Sequence, residues 1–311
     1  MKKVVSCLLC VILLFQMTSC YRLLLYDYTY ESTEQTETTY LAETKNSLHY
    51  GEPLDSYVVY RGITDALPAS GSYRPSYRRG ICRNFSGTPV VVLLFMDDDE
   101  SFWTEDEVHT FTNESVMPAL DFLKREAAFW NVELDFVLES YSTPTTGYTI
   151  DFFGVMPTTS KEAVKEDAFE QAAGDLGFAS DWIFYSYLQS QYPTQDIVFL
   201  TIFNKDGRSF TVQHKTGYHR GVEHCVIYSG YASYSAPMVA HEILHLFGAE
   251  DLYAENASVE IEEITKKEFP NDIMWTYLDD WGNQVEAYTA YAVGWTSEIP
   301  EVCYLEEWKF D

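Results

Sequence analysis

The sequence predicts an α/β (α+β) fold, a mixed twisted sheet backed by helices, with a smaller irregular C-terminal subdomain ending in a helix. Three observations carry this reading. Short β-branched and aliphatic runs, of strand length, recur along the chain. Stretches with apolar residues at three- and four-residue steps stand between them, which is the pattern of helices laid on a sheet. Hydrophobic residues make up 46% of the 311 residues, enough for a substantial core in one large domain.

The first twenty residues read as an address. Lys2 and Lys3 precede an apolar run from Val4 to Met17, shorter than the roughly 20 residues that span a bilayer. The run ends in Met17-Thr18-Ser19-Cys20, which resembles a bacterial lipobox. That resemblance implies a signal peptide over 1–19, lipidation at Cys20, and an exported protein held at the cell surface or a periplasm-facing membrane without crossing it. Residues 20–76 follow as the lipidated Cys and a flexible tether or propeptide, since Tyr28 to Asn46 is rich in Thr, Glu and Tyr with no apolar periodicity. The folded domain is expected over 77–311.

Within that domain, Pro89 to Met96 reads as a buried strand stopped by Asp97-Asp98-Asp99, a solvated loop. Leu120, Leu123, Ala127 and Trp130 give Ser115 to Trp130 a helical spacing. Val132 to Leu138 alternates as a half-buried strand, and Tyr148 to Val155 is a weaker one. Lys161 to Gln191 reads as helix, broken around Gly174-Asp175-Leu176-Gly177. Asp196 to Phe203 is a strong strand, and the turn residues Asn204-Lys205-Asp206-Gly207 lead into a returning strand, Arg208 to Gln213. Glu223 to Tyr228 is another short strand. Near the C-terminus, Tyr288, Tyr291, Ala292 and Trp295 give Glu286 to Trp295 the stripe of a docked helix.

Charge and cysteine content narrow the function classes. Lys and Arg total 20 against 48 Asp and Glu, a net charge of -28, which lacks the basic face that nucleic-acid binding needs. The same balance disfavours acidic substrates. Of six cysteines, Cys7, Cys10 and Cys20 belong to the leader and anchor, so Cys82, Cys225 and Cys303 allow at most one bridge. Cys82 reads as structural, and His214, His219 and His224, at five-residue steps, as turn or rim residues.

The chemistry concentrates in residues 241–251, His-Glu-Ile-Leu-His-Leu-Phe-Gly-Ala-Glu-Asp. His241 and His245 lie four apart, one helical turn, so their imidazoles share a face and can hold one Zn²⁺. Glu242 stands beside the first ligand, where it can polarise a metal-bound water. Ser235 and Pro237 suit a helix start, and Val239, Ile243, Leu244 and Phe247 bury the helix. Gly248 ends it in a sharp turn that can return Asp251 towards the histidines.

This motif, HExxHxxGxxD, resembles the metzincin zinc peptidases in the variant where Asp replaces the third His. Snapalysin-like and immune-inhibitor-A-like peptidases carry that variant, and the latter often continue Gly-Leu-Pro-Asp-Leu-Tyr where this chain has Gly248-Ala249-Glu250-Asp251-Leu252-Tyr253. Asn271-Asp272-Ile273-Met274 resembles the family's Met-turn. The resemblance implies a metzincin-like fold with an active-site helix, a zinc ion on His241, His245 and Asp251, and Met274 as a packing floor. It also implies a zinc endopeptidase with Glu242 as general base, a protein or peptide as substrate, and a monomer. Ala249-Glu250 in place of Leu-Pro leaves Glu250 as a rival third ligand. Some metzincins add a metal-binding Tyr two residues after the Met; here that position is Thr276, and Tyr277 is open between a metal or transition-state contact and packing. Two other readings stand beside this one: a gluzincin-like hydrolase with Glu262 or Glu263 as third ligand, and a non-catalytic surface module with a structural zinc.

Overall fold

Seven consecutive residues, Val90–Met96, are buried at every position, and so are Ile197–Phe203. Strands with no polar alternation must be covered on both faces and flanked on both edges. The structure, a computed structural model, describes residues 80–192, 194, 196–213, 222–230, 235–276, 282–305 and 307–308. The expected signal peptide, Cys20 and tether lie outside the described residues, as do His214, His219 and Tyr277.

The strands are β1 (Val90–Met96), β2 (Val137–Ser142), β3 (Ile197–Phe203), β4 (Phe210–Val212) and β5 (His224–Tyr228). They form one sheet in the order β2-β1-β3-β5-β4. All pairings are parallel except β4 with β5, so the sheet is mixed, as expected. In register, Val90 sits between Val137 and Ile197. The helices are α1 (Glu105–Phe111), α2 (Met117–Phe129), α3 (Thr143–Thr146), α4 (Ser160–Ala163), α5 (Ala168–Asp175), α6 (Asp181–Gln191), α7 (Ser235–Leu246), α8 (Val259–Glu268) and α9 (Ala287–Ala292). A π-helical turn, Thr112–Val116, joins α1 to α2. No described helix is long and apolar enough to cross a membrane.

Several elements depart from the sequence expectations. The helix expected over Ser115 to Trp130 is present as α2, but an unanticipated helix, α1, precedes it, started by a reciprocal capping box between Thr104 and Glu107. The second strand is Val137–Ser142 rather than Val132–Leu138; pairing with β1 sets its limits, and Leu134 contributes only an isolated bridge to Gly87. Tyr148 to Val155 is likewise reduced to one bridge, Asp97 with Asp151. The long helical stretch divides into α4, α5 and α6, the last two capped by Asp167 and Ser180. The returning strand β4 does not pair with β3, whose free edge is taken by β5, Leu200 opposite Cys225. Beyond it β4 runs antiparallel along β5 as the sheet edge, Thr211 opposite Cys225. An unanticipated helix, α8, is capped by Ser258, with acids in its first turn and Lys266 and Lys267 in its last. The expected C-terminal helix is present as α9, with Tyr288 and Tyr291 buried.

Phe85 ties the domain's ends together. Its ring stacks on Phe247 at 4.0 Å and on Trp295 at 5.3 Å, and its carbonyl accepts the Trp295 indole N–H at 2.6 Å. Cys82, Cys225 and Cys303 are all free and buried, so they form no bridge.

The acidic loop after β1 is only partly solvated: Asp99 and Glu100 are exposed, but Asp97 and Asp98 are buried. Asp98 is 2% exposed, and its Oδ1 accepts Glu100 N–H, Ser101 N–H and the Ser101 hydroxyl. Its Oδ2 accepts Met156 N–H and the Lys205 ammonium. Asp97 caps Trp103 N–H and takes the Thr143 hydroxyl. These carboxylates tie the loops after β1, β2 and β3 together. Removing one partner of such a buried pair strands the other charge. Asp98→Ala should therefore lower unfolding free energy by about 3 kcal/mol in urea titration; a loss under about 0.5 kcal/mol, typical of a surface site, would contradict this account.

Candidate metal centre

Every residue from Ala236 to Leu246 on α7 is buried, which holds the helix between α2 on one side and β4 and β5 on the other. Its C-terminus turns at Gly248, whose φ of 103° lies where only glycine is unstrained. The turn is closed by Gly248 N–H to the His245 carbonyl and Ala249 N–H to the Leu244 carbonyl.

The structure brings His241, His245 and Asp251 together. His241 Nε2 lies 3.0 Å from His245 Nε2 and 3.0 Å from Asp251 Oδ1, and His245 Nε2 lies 3.2 Å from the same oxygen. The other ring nitrogens face backbone carbonyls, His241 Nδ1 to Ile273 at 3.0 Å and His245 Nδ1 to Ala249 at 2.8 Å. A carbonyl oxygen only accepts, so both Nδ1 atoms carry a hydrogen, and each imidazole, when neutral, presents its Nε2 lone pair to the cluster. Three acceptor atoms thus converge, and either a proton on an imidazole or a cation in its place relieves the arrangement. Around a tetrahedral zinc with bonds of about 2.05 Å, ligand atoms stand about 3.3 Å apart, close to the spacing found. The donor set, two imidazoles and one carboxylate, also suits zinc.

The same convergence acts on protons. At His245 burial opposes charge, but the Asp251 carboxylate, helped by Glu242 and the Ala249 carbonyl, outweighs it and pushes the imidazole up to about 9. At Asp251 burial raises the pKa, and the two histidines more than reverse it, holding the carboxyl well below its usual value.

Asp251 is oriented from behind. Its Oδ2 accepts the Asn256 amide at 2.6 Å, and the same amide nitrogen donates to the Tyr253 hydroxyl at 2.9 Å. Among the described residues the ligating group contains neither Glu250 nor the acids of α8. Glu262 accepts Ala254 N–H and pairs with Lys266, and Glu263 pairs with the same lysine. His224 is buried elsewhere, its Nδ1 against the Val222 carbonyl and its ring beside Phe169.

Glu242, also buried, is engaged by the edge strand. Thr211 of β4 stands 2.7 Å from Glu242 Oε2 and 2.9 Å from its carbonyl, and Cys225 of β5 donates to that carbonyl at 3.3 Å. Gln213 donates to the His245 carbonyl. Met274 is fully buried and is bound through its backbone, accepting Leu252 N–H at 2.9 Å.

Sequence reasoning missed Asp272, which organises this turn. It is fully buried, and its Oδ1 accepts Met274 N–H at 2.8 Å and the Thr289 hydroxyl at 2.9 Å. Its Oδ2 accepts Glu286 N–H at 3.0 Å, at the head of α9. Thr211 and Asn256 were missed as well; neither belongs to a spacing pattern that sequence alone exposes. With this geometry in place, comparison with known family models, curated proteins and solved structures finds no match.

Two outcomes are expected. Asn256→Ala should weaken zinc binding by about ten-fold in competition titration, because it frees the back of a ligand. Glu262→Gln should leave affinity unchanged, and the reverse pattern would make Glu262 the ligand. The second outcome concerns pH. Burial pushes Asp272 up to about 7 against its hydrogen bonds, so the folded chain keeps a proton that an unfolded carboxyl near 3.8 has lost. The stability this contributes is complete below about pH 4 and is lost as pH rises through about 7. Asp272→Asn should flatten that part of the unfolding free energy between pH 4 and 8, measured by urea titration against wild type; an unaltered slope would count against the assignment.

Proposed function

We propose that the chain is a zinc-dependent endopeptidase of metzincin type, exported and held at a membrane by lipid on Cys20. The observation that carries this is the convergence of His241 Nε2, His245 Nε2 and Asp251 Oδ1 as three lone-pair donors, with a buried Glu242 held beside them. Zinc bound there supplies Lewis acidity, polarising a carbonyl and acidifying water. His241, His245 and Asp251 hold it, and the Ile273 and Ala249 carbonyls fix the ring tautomers.

Glu242 is the proton carrier. Its carboxylate accepts a proton from the attacking water and delivers it to the leaving amine. Thr211 restrains Oε2, so the carboxylate is positioned before substrate arrives. The substrate is a protein or peptide, and the strongly acidic chain disfavours acidic segments.

Glu242→Ala should retain zinc by metal analysis and lose roughly 10²–10⁴-fold in cleavage of an unfolded protein, a chelator-sensitive activity in wild type. Full activity in that variant would remove Glu242 from the mechanism, and zinc without any chelator-sensitive cleavage would favour a structural metal.

A further inference from the structure

The two imidazoles of the centre are aimed by carbonyls of different origin. Ala249 stands four residues beyond His245, in the turn that Gly248 makes. Ile273 stands 32 residues beyond His241 and has to be brought to it. The Ile273 carbonyl and the Met274 N–H belong to one peptide unit, planar and trans, so they point in opposite directions. Asp272 Oδ1 takes that N–H at 2.8 Å, and the His241 ring meets that carbonyl at 3.0 Å. One peptide plane is thus gripped from both sides, by a carboxylate and by the imidazole it aims. Asp272 is held in turn by α9. The Thr289 hydroxyl donates to Oδ1 at 2.9 Å, and the N–H of Glu286, the residue that starts α9, donates to Oδ2 at 3.0 Å. The segment leading into α9 adds a short ladder, Ile273 N–H to the Gln284 carbonyl and Gln284 N–H to the Asn271 carbonyl.

We propose that Asp272 is a positioning residue for the metal centre: through the 273–274 peptide it orients His241, and through Thr289 it makes α9 part of that support. Asp272 is outside the ligating group and acts on one ligand only. His245 takes its direction from the Ala249 carbonyl, and the Ala249 N–H closes on Leu244 within the same turn. With Asp272 truncated, the buried Met274 N–H is left without its acceptor and the peptide plane turns to find another. The Ile273 carbonyl turns with it, away from the imidazole. His241 then loses the bond that keeps its Nε2 facing Asp251 at 3.0 Å. Neither α9 nor Asp272 supplies a metal-binding atom, yet both set how well the histidine presents one.

This role rests on the metal-centre part of the proposed function, and its test reads no peptide cleavage. Full-length protein with isotope-labelled histidine is followed by NMR, for solvent exchange of the ring Nδ1–H in the metal-free chain, and by zinc competition titration. In Asp272→Ala the His241 Nδ1–H should exchange about ten-fold faster and zinc affinity should fall about ten-fold, with the His245 Nδ1–H unchanged. Asp272→Asn, whose amide oxygen still accepts Met274 N–H, should recover most of both. Thr289→Val keeps the carboxylate but removes one of its donors, and should show the same His241-specific change at about three-fold. Asp98→Ala is the control for lost stability. That buried carboxylate bonds to Ser101, Met156 and Lys205 instead, and its removal should leave both readouts as in wild type. Lost affinity with His241 exchange unchanged overturns the proposal; so does equal change at both histidines, or an equal loss in Asp98→Ala. If Asp272→Ala does not fold, Thr289→Val decides, and an unchanged His241 there overturns it too. A wild-type chain that takes up no zinc refutes the metal-centre reading instead, and is told apart because exchange is read without metal.

Discussion

Two backbone carbonyls, those of Ala249 and Ile273, govern the candidate metal centre. Each takes the Nδ1–H of a buried imidazole, and that choice turns both Nε2 lone pairs towards Asp251. Neither carbonyl is on α7. Ala249 is presented by the turn at Gly248, and Ile273 by the turn that Asp272 holds shut. The helix supplies the two histidines, but the two turns aim them. The demands on Gly248 and Asp272 are thus conformational and electrostatic, although neither side chain belongs to the ligating group.

The legible and illegible parts of the sequence divide along this line. The four-residue step between His241 and His245, and the glycine that ends their helix, are local patterns and are found as read. Asp251 was legible too, because a sharp turn brings a residue six positions on back to the imidazole. Asp272 was not, since its three donors come from its own turn and from α9. The acidic loop after β1 misled for a similar reason. Asp98 is buried because Lys205 and the Met156 amide reach it from other strand ends, and no local window contains them.

Strand errors have a different origin. Alternation placed a strand at Val132–Leu138, yet the residues that pair are Val137–Ser142, because a parallel partner selects the register. The order of β4 and β5 could not be read from the turn at 204–207. A turn fixes where the chain reverses, and competition for the edge of β3 fixes which strand lies next to it. That competition matters for the centre. It leaves β4 outermost, with Thr211 against Glu242 and Gln213 against the end of α7.

The three thiols have a consequence for maturation. Cys82, Cys225 and Cys303 are buried and unbridged, and burial pushes the Cys82 and Cys225 thiols well above their usual pKa. A thiol without thiolate character is slow to exchange or oxidise. The described domain therefore needs no oxidative step to complete it. The folding of the described domain is therefore indifferent to the redox poise around it, whether that poise is reducing or oxidising.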